Sequence, residues 1–210
     1  MGIPVLILGR SGSGKSRSLK NFDPNEIGII KCIEKELPFR NRFKTITTSD
    51  YSTICKCLVG GKPNIFVIDD AGYLLTDEFM RKSDEKGYDK FTQLANNFYQ
   101  LIRFITTQLP RKKIVYIIMH EDENEVTGVV KPKTIGKLLD EKVCVEGMFT
   151  IVLRCMDYKF ITNGSGCAKT PEDMFKELEI DNDLKLVDDT IRDYYYLNEE
   201  KEIIENEETK

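Results

Sequence analysis

The run Gly9-Arg10-Ser11-Gly12-Ser13-Gly14-Lys15-Ser16, set directly behind the apolar segment Ile3-Pro4-Val5-Leu6-Ile7-Leu8, constrains this chain more than any other feature in it. It matches the spacing GxxxxGK[ST] at every fixed position. A short continuous apolar run bounded by turn residues is the pattern of a strand covered on both faces in a parallel sheet. Glycines at the exit of that strand let the backbone wrap closely, so successive N–H groups can point inward at phosphate oxygens. Lys15 then acts as a point charge on the β- and γ-phosphates, and the Ser16 hydroxyl as a magnesium ligand. Residues Lys15–Asn21 can open a helix whose positive end adds to the cradle. Gly9 through Ser16 are therefore the expected nucleotide-binding residues, with ATP and Mg2+ as the implied ligands.

Such a site needs a second, acidic magnesium-linked group. Ile65-Phe66-Val67-Ile68-Asp69-Asp70 supplies one: four apolar residues make a central strand and Asp69 stands at its carboxyl end. Asp70 is next in line to orient or polarise an attacking water. Between the loop and Asp69 lies at least one further strand candidate, Ile27–Ile33, which allows an additional strand between the two site strands. That arrangement belongs to RecA-like and AAA-type ATPases, whereas nucleoside kinases and GTPases set the two strands side by side. No NKxD guanine-reading motif and no Arg-rich lid of the small-kinase type is present in the sequence.

The rest of the chain alternates between the two periodicities. A short strand is expected at Lys44–Thr47 and a helix from Asp50 or Ser52 to Val59, ended by Gly60-Gly61. The longest helical pattern is Asp89–Leu109, with Phe91, Leu94, Ala95, Phe98, Leu101, Ile102 and Ile105 on one face and Pro110 closing it. Ile114–Met119 reads as a strand, His120–Lys131 as a polar loop or hairpin, and Thr134–Lys142 as a short helix. Phe149–Met156 and Tyr158–Thr162 read as two strands joined by a tight turn. The expected fold is α/β: a P-loop NTPase with a mainly parallel RecA-like sheet flanked by helices, and antiparallel strands toward the C-terminus. One domain over residues 1–196 and an acidic tail over 197–210 are expected.

Composition fits that reading. A chain of 210 residues, 40% apolar and 31% charged, is an ordinary soluble globular mix able to bury a sizeable core. The longest apolar stretches fall far short of the roughly 20 residues needed to span a bilayer, and no secretory signal is visible, so a cytoplasmic protein without a membrane partner is expected. Six cysteines lack any CxxC pair and several lie in strand-like runs, which points to reduced, structural thiols. Residues Leu197–Lys210 hold six Glu and two Lys, which leaves 29 basic against 29 acidic residues in the body. Bulk charge therefore does not draw this chain to nucleic acid, and any such contact must come from local patches.

The GxSGSGKS run behind IPVLILG, the IDD strand, the KTIGKLLDEK segment and the EGMFTIVLR strand together resemble the phage-encoded RecA-like nucleotide-binding proteins, over roughly residues 1–196. That resemblance implies a RecA-type ATPase that self-assembles on single-stranded DNA in phage recombination or strand annealing, in the host cytoplasm. A single-strand DNA-binding protein is a further implied partner. It also implies roles: Glu34, with Glu36 as second choice, for the catalytic glutamate, and His120 for the γ-phosphate sensor. The loop after the sensor strand contacts DNA in such proteins, but here Glu121-Asp122-Glu123-Asn124-Glu125 is acidic and would repel phosphate. Lys131, Lys133 and Lys137 are better placed to touch DNA or a neighbour's γ-phosphate, or they are simply solvated.

A second patch, Pro38-Phe39-Arg40-Asn41-Arg42-Phe43-Lys44, interleaves aromatics with the cations Arg40 and Arg42. That is the chemistry of base stacking with phosphate contact, and equally of side chains lying over a core. Two functions stand open: an oligomeric ATPase on single-stranded DNA, or a nucleotide-gated switch with a protein partner and slow hydrolysis.

Overall fold

The computed structural model describes residues 1–198 apart from 41, 88, 125 and 137. Its centre is a sheet of six parallel strands, namely β1 (Ile3–Gly9), β2 (Ile27–Lys31), β3 (Thr45–Thr47), β4 (Ile65–Asp69), β5 (Ile114–Glu123) and β7 (Ile151–Met156). They run in the order β3-β2-β4-β5-β1-β7. Two short strands, β8 (Lys159–Ile161) and β9 (Glu179–Asp181), extend the β7 edge antiparallel, and β6 (Val130–Pro132) folds back on the end of β5. The molecule is thus an α/β protein with a mostly parallel mixed sheet and antiparallel C-terminal strands. Parallel strands need both faces covered, which is why β1, β4 and β5 are apolar almost without interruption.

Alternate residues of those strands feed two cores. Leu6, Leu8, Ile68, Ile117 and Met119 face α1 (Tyr51–Gly60), α2 (Gly72–Arg81) and α3 (Asp89–Gln108). Val5, Ile7, Val67, Tyr116 and Leu153 face Leu19, Phe22 and α4 (Leu184–Tyr194). The apolar face expected of α3 is buried from Leu94 to Ile105, while Phe91 at its start packs half-buried on Phe79. Helix α1 begins where expected, since the Asp50 carboxylate accepts from the Thr53 N–H at 2.8 Å, and it ends at Gly60. Its last carbonyls take an unforeseen partner: buried Lys113 donates to Leu58 O and Gly61 O at 2.6 and 2.8 Å.

Three local expectations differ. An additional strand does lie between β1 and β4, but it is β5, from later in the chain, while β2 lies outside β4. Side-by-side order cannot be read from sequence order where crossover helices separate the strands. The segment after the glycine loop is a six-residue 3-10 helix, Ser16–Asn21, so a long helix dipole is not available there. The Thr134–Lys142 stretch narrows to a single wide turn, Leu138–Lys142, and α2, α4 and β9 were not foreseen.

Candidate functional site

Three adjacent parallel strands, β1, β4 and β5, reach the carboxyl edge of the sheet side by side, each delivering a piece of one site. Strand β1 ends at Gly9, which is paired in register with His120 of β5, and β4 ends at Asp69. A Cβ on Gly9 would lie 2.5 Å from Cys155 O and 2.6 Å from Ser13 Oγ, so only glycine lets the loop close this tightly on β7. Around these ends opens a cavity of about 1010 Å³, lined by Ser11, Gly12, Gly14, Lys15, Ser16 and Arg17 on the loop side. Lys35, Glu36, Asp70, Tyr73, His120 and Tyr158 face them.

Lys15 is nearly buried and its ammonium donates to Gly9 O at 2.8 Å and Arg10 O at 2.7 Å, folding back on its own loop. Burial pulls its pKa below the ordinary lysine value. The Ser16 hydroxyl donates to Asp69 Oδ1 at 2.9 Å, joining residues 53 positions apart. Asp69 is fully buried and its second oxygen, Oδ2, has no hydrogen-bond partner. Burial, reinforced by the neighbouring Asp70 charge, raises its pKa. A buried carboxylate with one oxygen unpartnered is a group short of a cation.

Asp70 is shifted the other way. Burial alone would raise it, but hydrogen bonds from His120 and Lys35 outweigh that and hold its carboxyl below the usual range. Lys35 is ion-paired to Oδ2 and His120 Nε2 lies 3.5 Å from Oδ1. Its backbone is left-handed (φ 56°), which aspartate tolerates better than most residues. Adjacent carboxylates with opposite shifts divide the edge into a cation-seeking position and one already neutralised.

Among the described residues no group of three or more His, Cys, Asp or Glu is arranged to hold a metal. Ser16 and Asp69 offer two hard oxygen donors, a donor chemistry that would suit magnesium.

The other candidates fall in different places. Glu34 does not line the cavity: its carboxylate is held by Lys31 at 2.7 Å and by Thr47 on the β3 side. Glu36 does line it. In the acidic stretch after His120, Glu121 and Glu123 are internal wiring, and Glu125 lies outside the described residues. Arg154 of β7 grips Glu121 through two nitrogens, at 2.8 and 2.9 Å, and reaches Glu123 at 3.3 Å. Arg10 of the glycine loop donates to the same Glu123 at 2.7 Å. The local repulsion expected from these two glutamates is thus answered by arginines.

Lys131 sits opposite Asp122 in the β5–β6 ladder, and exposed Lys133 donates its backbone N–H to His120 O at 2.8 Å. Lys137 and residues 199–210 of the tail lie outside the described residues. Arg40 and Arg42 are exposed, but Phe39 and Phe43 on either side of them pack edge-on against each other and against the core. Leu197 is itself buried, in the second core. Sequence reasoning missed Lys35, Tyr73, Arg17, Tyr158 and Arg154; Arg17 and Tyr73 stand within three residues of Ser16 and Asp70 and were within reach of it, whereas strand order and the β7–β8 turn bring in Lys35, Arg154 and Tyr158.

No family model matches this chain, and no curated protein matches it. Among the described residues no helix is long and apolar enough to cross a membrane.

Proposed function

We propose that this chain is a magnesium-dependent P-loop ATPase that binds ATP at Gly9–Ser16 and acts on single-stranded DNA as a homo-oligomer. The observation that carries the nucleotide reading is the Ser16–Asp69 contact at 2.9 Å with the second Asp69 oxygen buried and unpartnered. A hydroxyl and a desolvated carboxylate meet there at the mouth of a glycine loop. The strand order, with one strand between β1 and β4, supports a RecA-like or AAA-like placement.

In this reading Lys15 exchanges two loop carbonyls for phosphate oxygens, and much of its desolvation is already met in the folded chain. Loop N–H groups hold the anion, while Ser16 and Asp69 hold magnesium. Magnesium held there would supply neutralisation of charge on the phosphates. Asp70, His120 and Lys35 line the same cavity and would face the terminal phosphate. Water attacks the γ-phosphorus, the bond to the ADP oxygen breaks, and a cavity carboxylate takes the water proton. Glu36 lines the cavity and would take that last role, whereas Asp70 would first have to leave Lys35 and His120, as Glu34 would Lys31 and Thr47.

The DNA reading rests on the family resemblance, with Lys133, Arg40 and Arg42 as exposed cations. One observation favours the switch reading instead. The Arg10–Glu123–Arg154 network ties the glycine loop to the β5–β6 hairpin, whose exposed tip carries Val126 and Val129. Phosphate release from ATP with magnesium, with and without single-stranded DNA, separates the two. Strong stimulation that disappears in Lys15→Ala is the expected result. ATP binding without stimulation would move the assignment to a nucleotide-gated switch, and unchanged turnover in Lys15→Ala would remove the P-loop assignment.

A further inference from the structure

The turn joining β7 to β8 places two consecutive non-glycine residues in the left-handed region, Asp157 at φ 44° and Tyr158 at φ 60°. A two-residue hairpin turn of this hand strongly prefers glycine at its second position. A tyrosine there is a conformational cost that the surrounding structure must hold in place. Here the Tyr158 N–H donates to Ser13 O at 3.1 Å, pinning the turn to the outside of the glycine loop.

The ring is not used for the core. Tyr158 is 51% exposed and its side chain is one wall of the large cavity. It stands over Gly14, where a Cβ would come within 2.8 Å of Cδ1, so Gly14 (φ 108°) is required both for its backbone and for the ring. The Arg17 guanidinium lies over the ring, 5.1 Å from its centroid, in cation–π contact with one face.

Position within the sheet gives the ring its role. β1 lies between β5 and β7, with Asp69, Asp70 and His120 on the β4–β5 side of the loop and Tyr158 on the β7 side. Resting on the nucleotide reading above, a triphosphate with its terminal phosphate toward Asp70 and His120 extends its nucleoside end toward β7, over Gly14 and Arg17. We infer that Tyr158 is the platform on which the base of the bound nucleoside triphosphate stacks, using the ring face that Arg17 does not cover. The base is thereby recognised through its face, a contact every base can make, and strength comes from aromatic overlap.

The test compares the affinities of ATP and inorganic tripolyphosphate, each with magnesium, by calorimetry on the full chain. The variants are Tyr158→Gly and Tyr158→Phe. Glycine suits the left-handed turn, so removal of the ring there does not strain the fold. Tyr158→Gly is expected to weaken ATP binding by roughly 5- to 140-fold, the range for loss of one stacked base. Tripolyphosphate affinity should stay within about twofold, and Tyr158→Phe should bind ATP like the unaltered chain. Equal ATP affinity in Tyr158→Gly overturns the inference. So does a parallel loss of both ligands, which would make the residue a brace for the loop. An unaltered chain that binds neither ligand overturns the nucleotide reading and this inference with it, whereas the first two results leave that reading standing.

Discussion

At the residue scale, the sharpest contrast is between Asp69 and Asp70, neighbours whose acidities move in opposite directions. Asp69 has a folded pKa above its unfolded value, so its ionisation opposes folding, and the penalty is fully present once the pH exceeds the folded value. Asp69→Asn is therefore expected to raise the melting temperature of the ligand-free protein at pH 7, because the amide keeps an acceptor for Ser16 and removes a buried charge. Each kcal/mol relieved appears as about 2–4 °C in a chain of this size. The same variant should lose magnesium-dependent phosphate release. A melting temperature that falls would show that Asp69 already has its counter-charge in the fold, and hydrolysis that persists would show that Asp69 is not the metal-linked acid. Asp70, with Lys35 and His120 against it, gains no comparable relief from neutralisation.

Elements meet through the Arg154–Glu121 pair, which links β7 to the far end of β5 across the intervening strand β1. Both side chains are more than nine-tenths buried, so removing one partner leaves the other desolvated and uncompensated. Arg154→Ala is expected to cost about 3–5 kcal/mol in chemical denaturation, and the double variant Arg154→Met with Glu121→Met to recover much of it. A loss under about 1 kcal/mol would mean that water reaches the pair once Arg154 is gone. This pair also accounts for an element that pattern alone left open. His120–Lys131 read as polar loop or hairpin; the structure extends β5 through Glu123 and turns it into β6, because arginines satisfy the acidic positions. The motif at Gly9–Ser16 and the strand ending at Asp69 were legible because each lies within a few consecutive residues. The Ser16–Asp69 contact and the Arg154 network were not, because their partners are distant in sequence and are chosen by strand order.

Across the whole molecule, the proposed ligand would bridge β1, β4 and the start of the 3-10 segment, binding the folded state alone. ATP with magnesium at about a hundredfold over its dissociation constant should add about 2.7 kcal/mol, or about 5–10 °C, to the melting temperature. Lys15→Ala should abolish that shift while melting as a folded protein without ligand. A shift of the same size in Lys15→Ala would place the ATP elsewhere on the molecule.

What the sequence determined by itself was local and periodic. Continuous apolar runs demanded a sheet covered on both faces, the 3.6-residue pattern of 89–108 demanded a packed helix, and the glycine loop behind β1 demanded a close backbone turn. Tertiary structure decided everything that depends on which strand lies beside which. It put β5, not β2, between β1 and β4, and so brought His120 next to Gly9. It turned Glu34 toward Lys31 and Glu36 toward the cavity, and carried Tyr158 to Gly14 across 144 residues of chain. Backbone and side-chain patterning act over a turn or a strand, whereas lateral strand order is set by the burial of two whole sheet faces at once, a condition no short segment contains.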